Sequence, residues 1–177
     1  MKPFSKPGPV LLARLLEIKL VAFDFDGVFT NNMVYVDQHG KESVRCSRSD
    51  GIGLSNIKEM GIRAVVVSTE VNSVVKHRCN KLSIHCFNGV DNKLDVLRDY
   101  VSSLGMGMDS VMFVGNDTND RSVLENVHVS VVVCDAHPQT CKSAQYVTCN
   151  KGGEGAVREI CDLLCYVNKR EEYEPYV

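Results

Sequence analysis

The chain has 177 residues, of which 44% are hydrophobic and 24% charged, and this composition is typical of one soluble globular domain. Its formal net charge of −2 gives no reason to expect a nucleic acid or an anionic membrane as a partner. The apolar run near the amino terminus is interrupted by Arg14 and Glu17, so it predicts neither a signal peptide nor a membrane span. Eight cysteines without metal-type spacing favour free thiols over a disulfide framework, and we expect a cytoplasmic protein.

The predicted elements alternate regularly between strands and helices. Residues 1–18 are predicted to form a tail or linker with a short helix, residues 19–170 a single domain and residues 171–177 a C-terminal tail. Short apolar strands alternating with helices indicate an α/β fold with a central parallel sheet and crossover connections. The pattern predicts strands over 19–25, 63–67, 84–87, 111–114, 129–133 and 146–148, helices over 50–60, 73–82, 92–104, 121–127, 138–144 and 156–168, and a hairpin over 33–46.

The first strand runs directly into two carboxylates, Asp24 and Asp26, which are followed by Gly27 and Thr30. Burying an isolated charge is costly, so acids at the end of a hydrophobic strand require a cation or a reaction. Open α/β sheets bind ligands at the carboxyl ends of their strands, where a carboxylate can attack phosphorus and neighbouring oxygens can hold Mg²⁺. The alternative is a strand-to-turn junction with two solvated aspartates.

Three further strand ends supply groups that phosphoryl transfer needs. Ser68 and Thr69 follow the second strand and offer a hydroxyl and backbone N–H groups to a phosphate. Lys93 begins a helix and can neutralise the nucleophile and the transferring group. The acidic loop 115–120 suits the other side of a magnesium site, although alone it could be an Asx-rich turn, as Lys93 alone could be a solvated helix residue. The order of these groups after successive strands carries the inference.

This order resembles the haloacid dehalogenase superfamily of phosphohydrolases, whose four motifs are matched by Asp24-x-Asp26, Ser68-Thr69, Lys93 and Gly115-Asn116-Asp117-x-x-Asp120. The resemblance implies a Rossmann-like three-layer sandwich, with Asp24 as the nucleophile and Asp26 as the general acid and base. It also implies that Mg²⁺ is held by a carboxylate oxygen of Asp24, the backbone carbonyl of Asp26 and Asn116. The superfamily usually has aspartate at the position of Asn116, so Asp117 or Asp120 is expected to compensate for the missing charge.

The spacing of the motifs leaves no room for a cap domain. Superfamily caps are inserted between the first and second motifs or between the second and third. These gaps span 42 residues from Asp26 to Ser68 and 24 from Thr69 to Lys93, enough for a hairpin and a helix or for a helix and a short strand. We therefore expect water to be excluded by another subunit, through a protruding hairpin at 34–45 that crosses an interface.

Two further segments narrow the resemblance to capless tetrameric members that cleave phosphorylated 2-keto-3-deoxy sugar acids. Those members carry this hairpin, a segment matched here by residues 49–53 with Asp50 in second place, and a Gly-Gly-x-Gly-Ala-x-Arg-Glu ending. The resemblance implies that these segments act at the site or at a subunit interface, whereas the alternative for the ending is a loop and a helix start. The ending is matched by Gly152, Gly153, Gly155 and Arg158, among others.

The second motif bears on the choice of substrate. Within this group, enzymes for the eight-carbon 3-deoxy-manno-octulosonate 8-phosphate usually have Thr-Gly-Arg there, and those for nine-carbon acids have glutamate in place of the arginine. The chain has Glu70, so the resemblance favours a nonulosonate 9-phosphate. It implies that Thr69 and Glu70 contact the substrate, that Lys81 helps Glu70 hold the group at the fifth carbon, and that Arg78 holds the carboxylate. Three solvated helix charges are the alternative.

Three functions therefore compete. The first is a Mg²⁺-dependent sugar-acid phosphatase acting as a homotetramer, with the nine-carbon substrate preferred and the eight-carbon substrate as the alternative. The second is a non-catalytic domain that tetramerises and tunes a cytidylyltransferase, because a related domain is fused behind CMP-sialic acid synthetases and the proline-rich start resembles a linker. The third is a phosphate-sensing binding module. The intact Asp24, Asp26 and Lys93 favour catalysis.

Overall fold

The structure, a computed structural model, describes residues 4–169, so residues 1–3 and 170–177, including the predicted C-terminal tail, lie outside the described part. Short 3₁₀ turns occur at Met108–Ser110 and Thr118–Asp120. The helices are α1 (Pro9–Leu15), α2 (Ser49–Glu59), α3 (Ser73–Leu82), α4 (Lys93–Ser103), α5 (Arg121–Leu124), α6 (Pro138–Cys141) and α7 (Ala156–Lys169). The strands are β1 (Leu20–Phe23), β2 (Tyr35–Val36), β3 (Glu42–Ser43), β4 (Arg63–Val67), β5 (His85–Phe87), β6 (Val111–Gly115), β7 (Val129–Val132) and β8 (Tyr146–Val147).

A six-stranded parallel sheet in the order β5-β4-β1-β6-β7-β8 forms the centre of the fold. Because successive side chains of a strand point to opposite faces, Val21 and Phe23 of β1 pack with α1, α2, α3 and α7, while Leu20 and Ala22 pack with α4 and α5. The predicted three-layer α/β sandwich is confirmed. Since β4 and β6 both flank β1, the carboxyl ends of these three strands lie side by side.

Several predicted elements are shorter in the structure. The strand predicted over 19–25 ends at Phe23, because the chain turns at Phe25, whose carbonyl accepts the N–H groups of Val28, Phe29 and Thr30. The helices predicted over 121–127 and 138–144 are the four-residue α5 and α6. Cys79, Cys161 and Cys165 lie in the core, as expected for thiols that behave as small apolar side chains.

The hairpin forms a separate two-stranded sheet in which β2 pairs antiparallel with β3. Asp37 closes its turn by accepting the N–H groups of His39 and Lys41 at 2.8 and 2.9 Å. Only this hairpin and α2 separate β1 from β4, and only α3 and β5 separate β4 from α4, so residues 4–169 contain no inserted cap domain. Over the same residues, none of the helices has the length and apolar character that a membrane span requires.

Candidate active site

Asp24 lies directly after β1 and is almost completely buried. Its Oδ1 accepts a hydrogen bond from the N–H of Phe25 at 2.7 Å and is 2.8 Å from Nζ of Lys93. The N–H of Phe25 is available for the first contact because the chain turns at this residue and leaves the sheet. The second contact is with a cation at the start of α4. These contacts fix the carboxylate at the carboxyl edge of the sheet, next to the ends of β4 and β6.

Lys93 bridges Asp24 and a second buried acid, Asp120. Asn92 caps α4 by accepting the N–H groups of its first turn, which sets Lys93 as the first residue of the helix. Nζ of Lys93 donates to Oδ1 of Asp120 at 2.8 Å, and Oδ2 of Asp120 accepts the backbone N–H groups of Asn116 and Asp117 at 2.8 and 3.2 Å. Asp120 therefore positions Lys93 and the loop after β6.

The charged groups of this cluster shift one another's pKa values. Burial and the charge of Asp120 raise the pKa of Asp24 to about 7, against the opposing pull of the Lys93 ammonium group. Burial lowers the pKa of Lys93, but the carboxylates of Asp24 and Asp120 outweigh it, and the net shift of that pKa is upward. Lys93 is therefore a permanent cation, and further positive charge beside Asp24 would favour its ionised form.

Asp26 is half-buried and is oriented by the turn that follows it. The hydroxyl of Thr30 donates to its Oδ1 at 3.3 Å and accepts the N–H of Gly27 at 3.1 Å. Burial raises the pKa of Asp26, Thr30 opposes the rise, and the charges of Glu70 and Glu42 add to it. A raised pKa suits a group that must hold a proton before donating it.

Asn116 provides the observation that tests whether the site fits a cation. Its Oδ1 is buried and has no hydrogen-bond partner among the described residues. A buried oxygen without a partner is costly, and Asn116 lines the same cavity as Asp24 and Asp26. The side chain packs so closely over Gly27 that a Cβ there would overlap Nδ2 of Asn116, and Gly27 also has a φ of 77°. Oxygen donors of this kind suit a hard cation such as Mg²⁺.

Six of the predicted site residues line one cavity of about 330 Å³ at the carboxyl edge of the sheet. Ser68 is buried in its wall, where its Oγ accepts the N–H of Glu70 at 3.1 Å. A larger cavity of about 500 Å³ lies at the opposite end of β4, beside Arg63 and Lys81, away from the carboxylates. The smaller cavity is lined by Asp24, Asp26, Asn32, Ser68, Thr69, Asn116, Asp117, Thr118 and Asn119.

Of the four predicted substrate residues, Thr69 lines the cavity, and the other three lie at different places. Glu70 precedes α3, accepts the N–H of Asn72 at 2.7 Å and is close enough to Asp26 to affect its pKa. Arg78 donates from Nη2 to the carbonyl of Ser47 at 2.6 Å. Lys81 lies in the last turn of α3, eight residues after its first residue Ser73, or roughly 12 Å along the helix axis. Within one chain, Glu70 and Lys81 therefore do not meet at one substrate atom.

Asp50 lies near Arg78 and Arg158 and does not line the cavity. It is buried in the first turn of α2, and its two oxygens have no hydrogen bond among the described residues. Burial raises its pKa to about 7, and the nearby Arg78 together with the amide and charge of Arg158 opposes that rise. Arg158 also donates from Nε to Oδ1 of Asp162 at 2.7 Å.

The glycine-rich ending packs on the turn at residues 25–30, which we call the nucleophile turn after the role predicted for Asp24. The N–H of Gly153 donates to the carbonyl of Val28 at 3.0 Å, and a Cβ on Gly152 would overlap the carbonyl oxygen of Gly27. Gly155 precedes α7 with a φ of 110°.

Two residues of this region were not predicted as site residues: Thr30, which contacts Asp26, and Glu159. A threonine four positions after the second aspartate was visible in the sequence, but the long-range contacts of Glu159 were not.

A family model for haloacid dehalogenase-like hydrolases matches residues 67–160. The 3-deoxy-D-manno-octulosonate 8-phosphate phosphatase of Escherichia coli K12 is 37% identical over 161 residues, which cover 89% of this chain and 86% of that protein. The Moraxella catarrhalis enzyme of the same name, crystallised with magnesium, phosphate and KDO, superposes with a TM-score of 0.86 at 28% identity over 89% of this chain and 91% of that one. The cobalt-bound Haemophilus influenzae phosphatase gives a TM-score of 0.84 at 25% identity, covering 88% and 92% of the two chains.

Proposed function

The chain belongs to the haloacid dehalogenase-like hydrolases and is a phosphatase of that type, and we propose that it hydrolyses the phosphate ester of a 2-keto-3-deoxy sugar acid. The observation that carries this proposal is the buried Asp24–Lys93–Asp120 cluster beside the unpartnered Oδ1 of Asn116. A purely structural domain gains nothing from two acids, a lysine and an unsatisfied amide gathered around a solvent-accessible cavity.

Each of these residues has a separate role in the proposed reaction. An oxygen of Asp24 attacks the phosphorus, the bond from phosphorus to the sugar oxygen breaks, and Asp26 donates its proton to that leaving oxygen. Asp26, now ionised, then takes a proton from a water molecule that attacks the same phosphorus. Inorganic phosphate is released and Asp24 is restored. Lys93 balances the charge of Asp24 throughout, and Ser68 and Thr69 offer hydrogen bonds to the phosphate oxygens.

Mg²⁺ is the cation that we propose for this site, with Asp24, the carbonyl of Asp26 and Oδ1 of Asn116 as its protein donors. When bound, it supplies positive charge to the transferring phosphoryl group. Asp117 also lines the cavity and can add charge near the cation, whereas Asp120 is already committed to Lys93 and two backbone N–H groups.

The relatives favour the eight-carbon substrate, 3-deoxy-D-manno-octulosonate 8-phosphate, over the nine-carbon substrate that the second motif suggests. The E. coli enzyme is named for that substrate and matches nearly the whole chain. One specific observation keeps a nonulosonate 9-phosphate as the second candidate: Glu70, and not an arginine, stands beside the acid Asp26. An acidic side chain there accepts hydrogen bonds from hydroxyl or amide groups and repels a carboxylate.

We further propose a homotetramer in which neighbouring chains complete each site. Residues 33–36 of the hairpin are exposed in the single chain although all four are apolar or aromatic, so a second subunit is the expected cover. Because Lys81 lies at the end of α3 that is farther from Glu70, we propose that the Lys81 that meets the substrate of Glu70 comes from a neighbouring chain. A possible fusion to a cytidylyltransferase domain does not alter this arrangement.

The deciding experiment measures phosphate release with Mg²⁺ from both sugar-acid phosphates, glucose 6-phosphate and an aryl phosphate. We expect kcat/KM for at least one sugar-acid phosphate to exceed that for glucose 6-phosphate by about tenfold or more. Glu70→Gln, compared with Glu59→Gln at the exposed end of α2, then tests the second candidate, since only the former should lower kcat/KM for the nine-carbon substrate. Absence of phosphate release from every sugar-acid phosphate would overturn the proposal.

A further inference from the structure

Glu159 is a buried carboxylate, and each described group that forms a hydrogen bond with its oxygens is a donor. It lies in the first turn of α7, where the helix dipole favours negative charge. Its Oε1 accepts the N–H of Cys149 at 2.8 Å and the hydroxyl of Tyr146 at 3.2 Å. Its Oε2 accepts the N–H of Asn150 at 2.8 Å and Nδ2 of Asn150 at 2.6 Å. A carboxylate with this many short bonds is held firmly and holds its donors firmly in turn.

The donors belong to the loop that lies against the nucleophile turn. Residues 149 and 150 lead directly into Gly152 and Gly153. The N–H of Gly153 donates to Val28 at 3.0 Å, and a Cβ built on Gly153 would lie 2.6 Å from atoms of both Thr30 and Asn31. Contact this close leaves the two backbone segments no freedom to shift separately.

The nucleophile turn also orients Asp26. Thr30 connects the two, since its hydroxyl accepts the N–H of Gly27 and donates to Oδ1 of Asp26. We infer that Glu159 is a positioning residue for the phosphatase reaction: it fixes the 149–153 loop against residues 27–30, and thereby the side chain of Asp26. This inference rests on the proposed function, because it assigns Glu159 an effect on the acid and base of that reaction.

A carboxylate is needed at this position because each partner donates. A glutamine has the same shape, but one of its two terminal atoms is an NH₂ group. Whichever way the amide is turned, that group faces a backbone N–H of residue 149 or 150, and the loop must move away. Glu159→Gln is therefore an isosteric change that should displace the loop while adding no bulk to the core.

The test compares kcat and KM of Glu159→Gln with those of the parent chain, with Mg²⁺ present. We expect kcat to fall about 10–100-fold for an aryl phosphate and for a sugar-acid phosphate alike, because a displaced acid and base slows both substrates. KM should stay within about threefold, since Ser68, Thr69 and Lys93 are untouched. Val167→Ala is the matched control: it creates a cavity at the other end of α7, so it lowers Tm but should leave kcat unchanged.

If Glu159→Gln does not fold, Asn150→Ala removes one donor and should lower kcat about 3–10-fold in the same substrate-independent way. A folded Glu159→Gln or Asn150→Ala chain with the parent kcat would overturn the inference. The inference would also be overturned if Val167→Ala, with the same Tm as Glu159→Gln, lost as much kcat. A parent chain that hydrolyses none of the substrates would instead count against the proposed function, so the two failures are distinguishable.

Discussion

The proposed catalytic cluster of Asp24, Lys93 and Asp120 is buried within one chain, whereas the hairpin is exposed. Asp24, Lys93 and Asp120 are 5%, 3% and 0% exposed, and each makes short contacts to the others or to backbone groups. Along the hairpin, Met33 is 66% exposed and Tyr35 71%. The reacting groups are thus complete in one chain, whereas the surface expected to enclose a substrate is not.

This difference separates two kinds of substitution. A change in the cluster should affect every phosphate ester, because all of them share the phosphorus chemistry. A change in the hairpin should affect only substrates that extend beyond the phosphate. The first two predictions test these limits, and the later ones concern cation binding at Asn116 and the pH dependence of stability at Asp50.

The largest effect is expected for Asp24→Asn. An amide cannot form the covalent intermediate, so we expect phosphatase activity to fall by at least about 10³-fold toward all substrates, with the fold unchanged by circular dichroism. Asp99→Asn, an exposed acid on α4, serves as the control. Activity that survives in Asp24→Asn would mean that another group is the nucleophile.

Disruption of the hairpin should have a smaller and selective effect. Val34→Lys places a charge on the surface proposed to contact a neighbour, so we expect kcat/KM to fall by about tenfold or more for a sugar-acid phosphate and by less than about threefold for an aryl phosphate. Light scattering should show a lower mass. Val10→Lys charges an apolar position on α1 that is more exposed than Val34 and should change neither quantity. A parent chain that is a fully active monomer would contradict this prediction.

Much of the cluster could be predicted from sequence because each of its groups directly follows a strand or begins a helix. Asp24, Ser68 and Asn116 come after β1, β4 and β6, and a parallel sheet necessarily brings those ends together. The position of Lys93 follows from the cap formed by Asn92. In each case the local pattern is enough to place the residue.

Other contacts could not be predicted because they join distant segments. Glu159 acts through a loop that packs on residues 27–30, more than a hundred positions earlier, and no local pattern records that packing. The cover proposed for the exposed hairpin is a second chain, and the contacts between two chains leave no local pattern in the sequence. The separation of Glu70 from Lys81, in contrast, follows from the sequence, since the helix predicted over 73–82 places Lys81 roughly 12 Å along its axis from the end nearer Glu70.

Within the cluster, Asn116→Asp should strengthen cation binding. The added negative charge sits on a side chain that lines the cavity and whose Oδ1 has no partner among the described residues, so we expect the Kd for Mg²⁺ to fall about tenfold by isothermal titration calorimetry. Asn119→Asp is the matched control, because it adds the same charge to the same cavity at a position not proposed as a ligand. Equal tightening by both variants would show that only the overall charge of the cavity matters.

The smallest effect concerns Asp50, a buried acid that lies outside the reacting cluster. Its pKa is raised to about 7 by burial, so between about pH 4 and pH 7 the folded chain holds a proton that the unfolded chain has lost. Folding is therefore favoured at the lower pH, and stability should decrease as the pH rises through 7. Asp50→Asn cannot ionise and should lose this part of the pH dependence.

Urea unfolding at pH 5 and pH 8 measures the difference. We expect the free energy of unfolding of the parent chain to fall between these pH values by on the order of 1–3 kcal/mol more than that of Asp50→Asn. Asp24 also has a raised pKa, but it is present in both chains, so its contribution cancels in the comparison. Asp99→Asn should keep the parent's pH dependence. Identical pH dependence in the parent and Asp50→Asn would show that Arg78 and Arg158 keep Asp50 ionised in the folded chain.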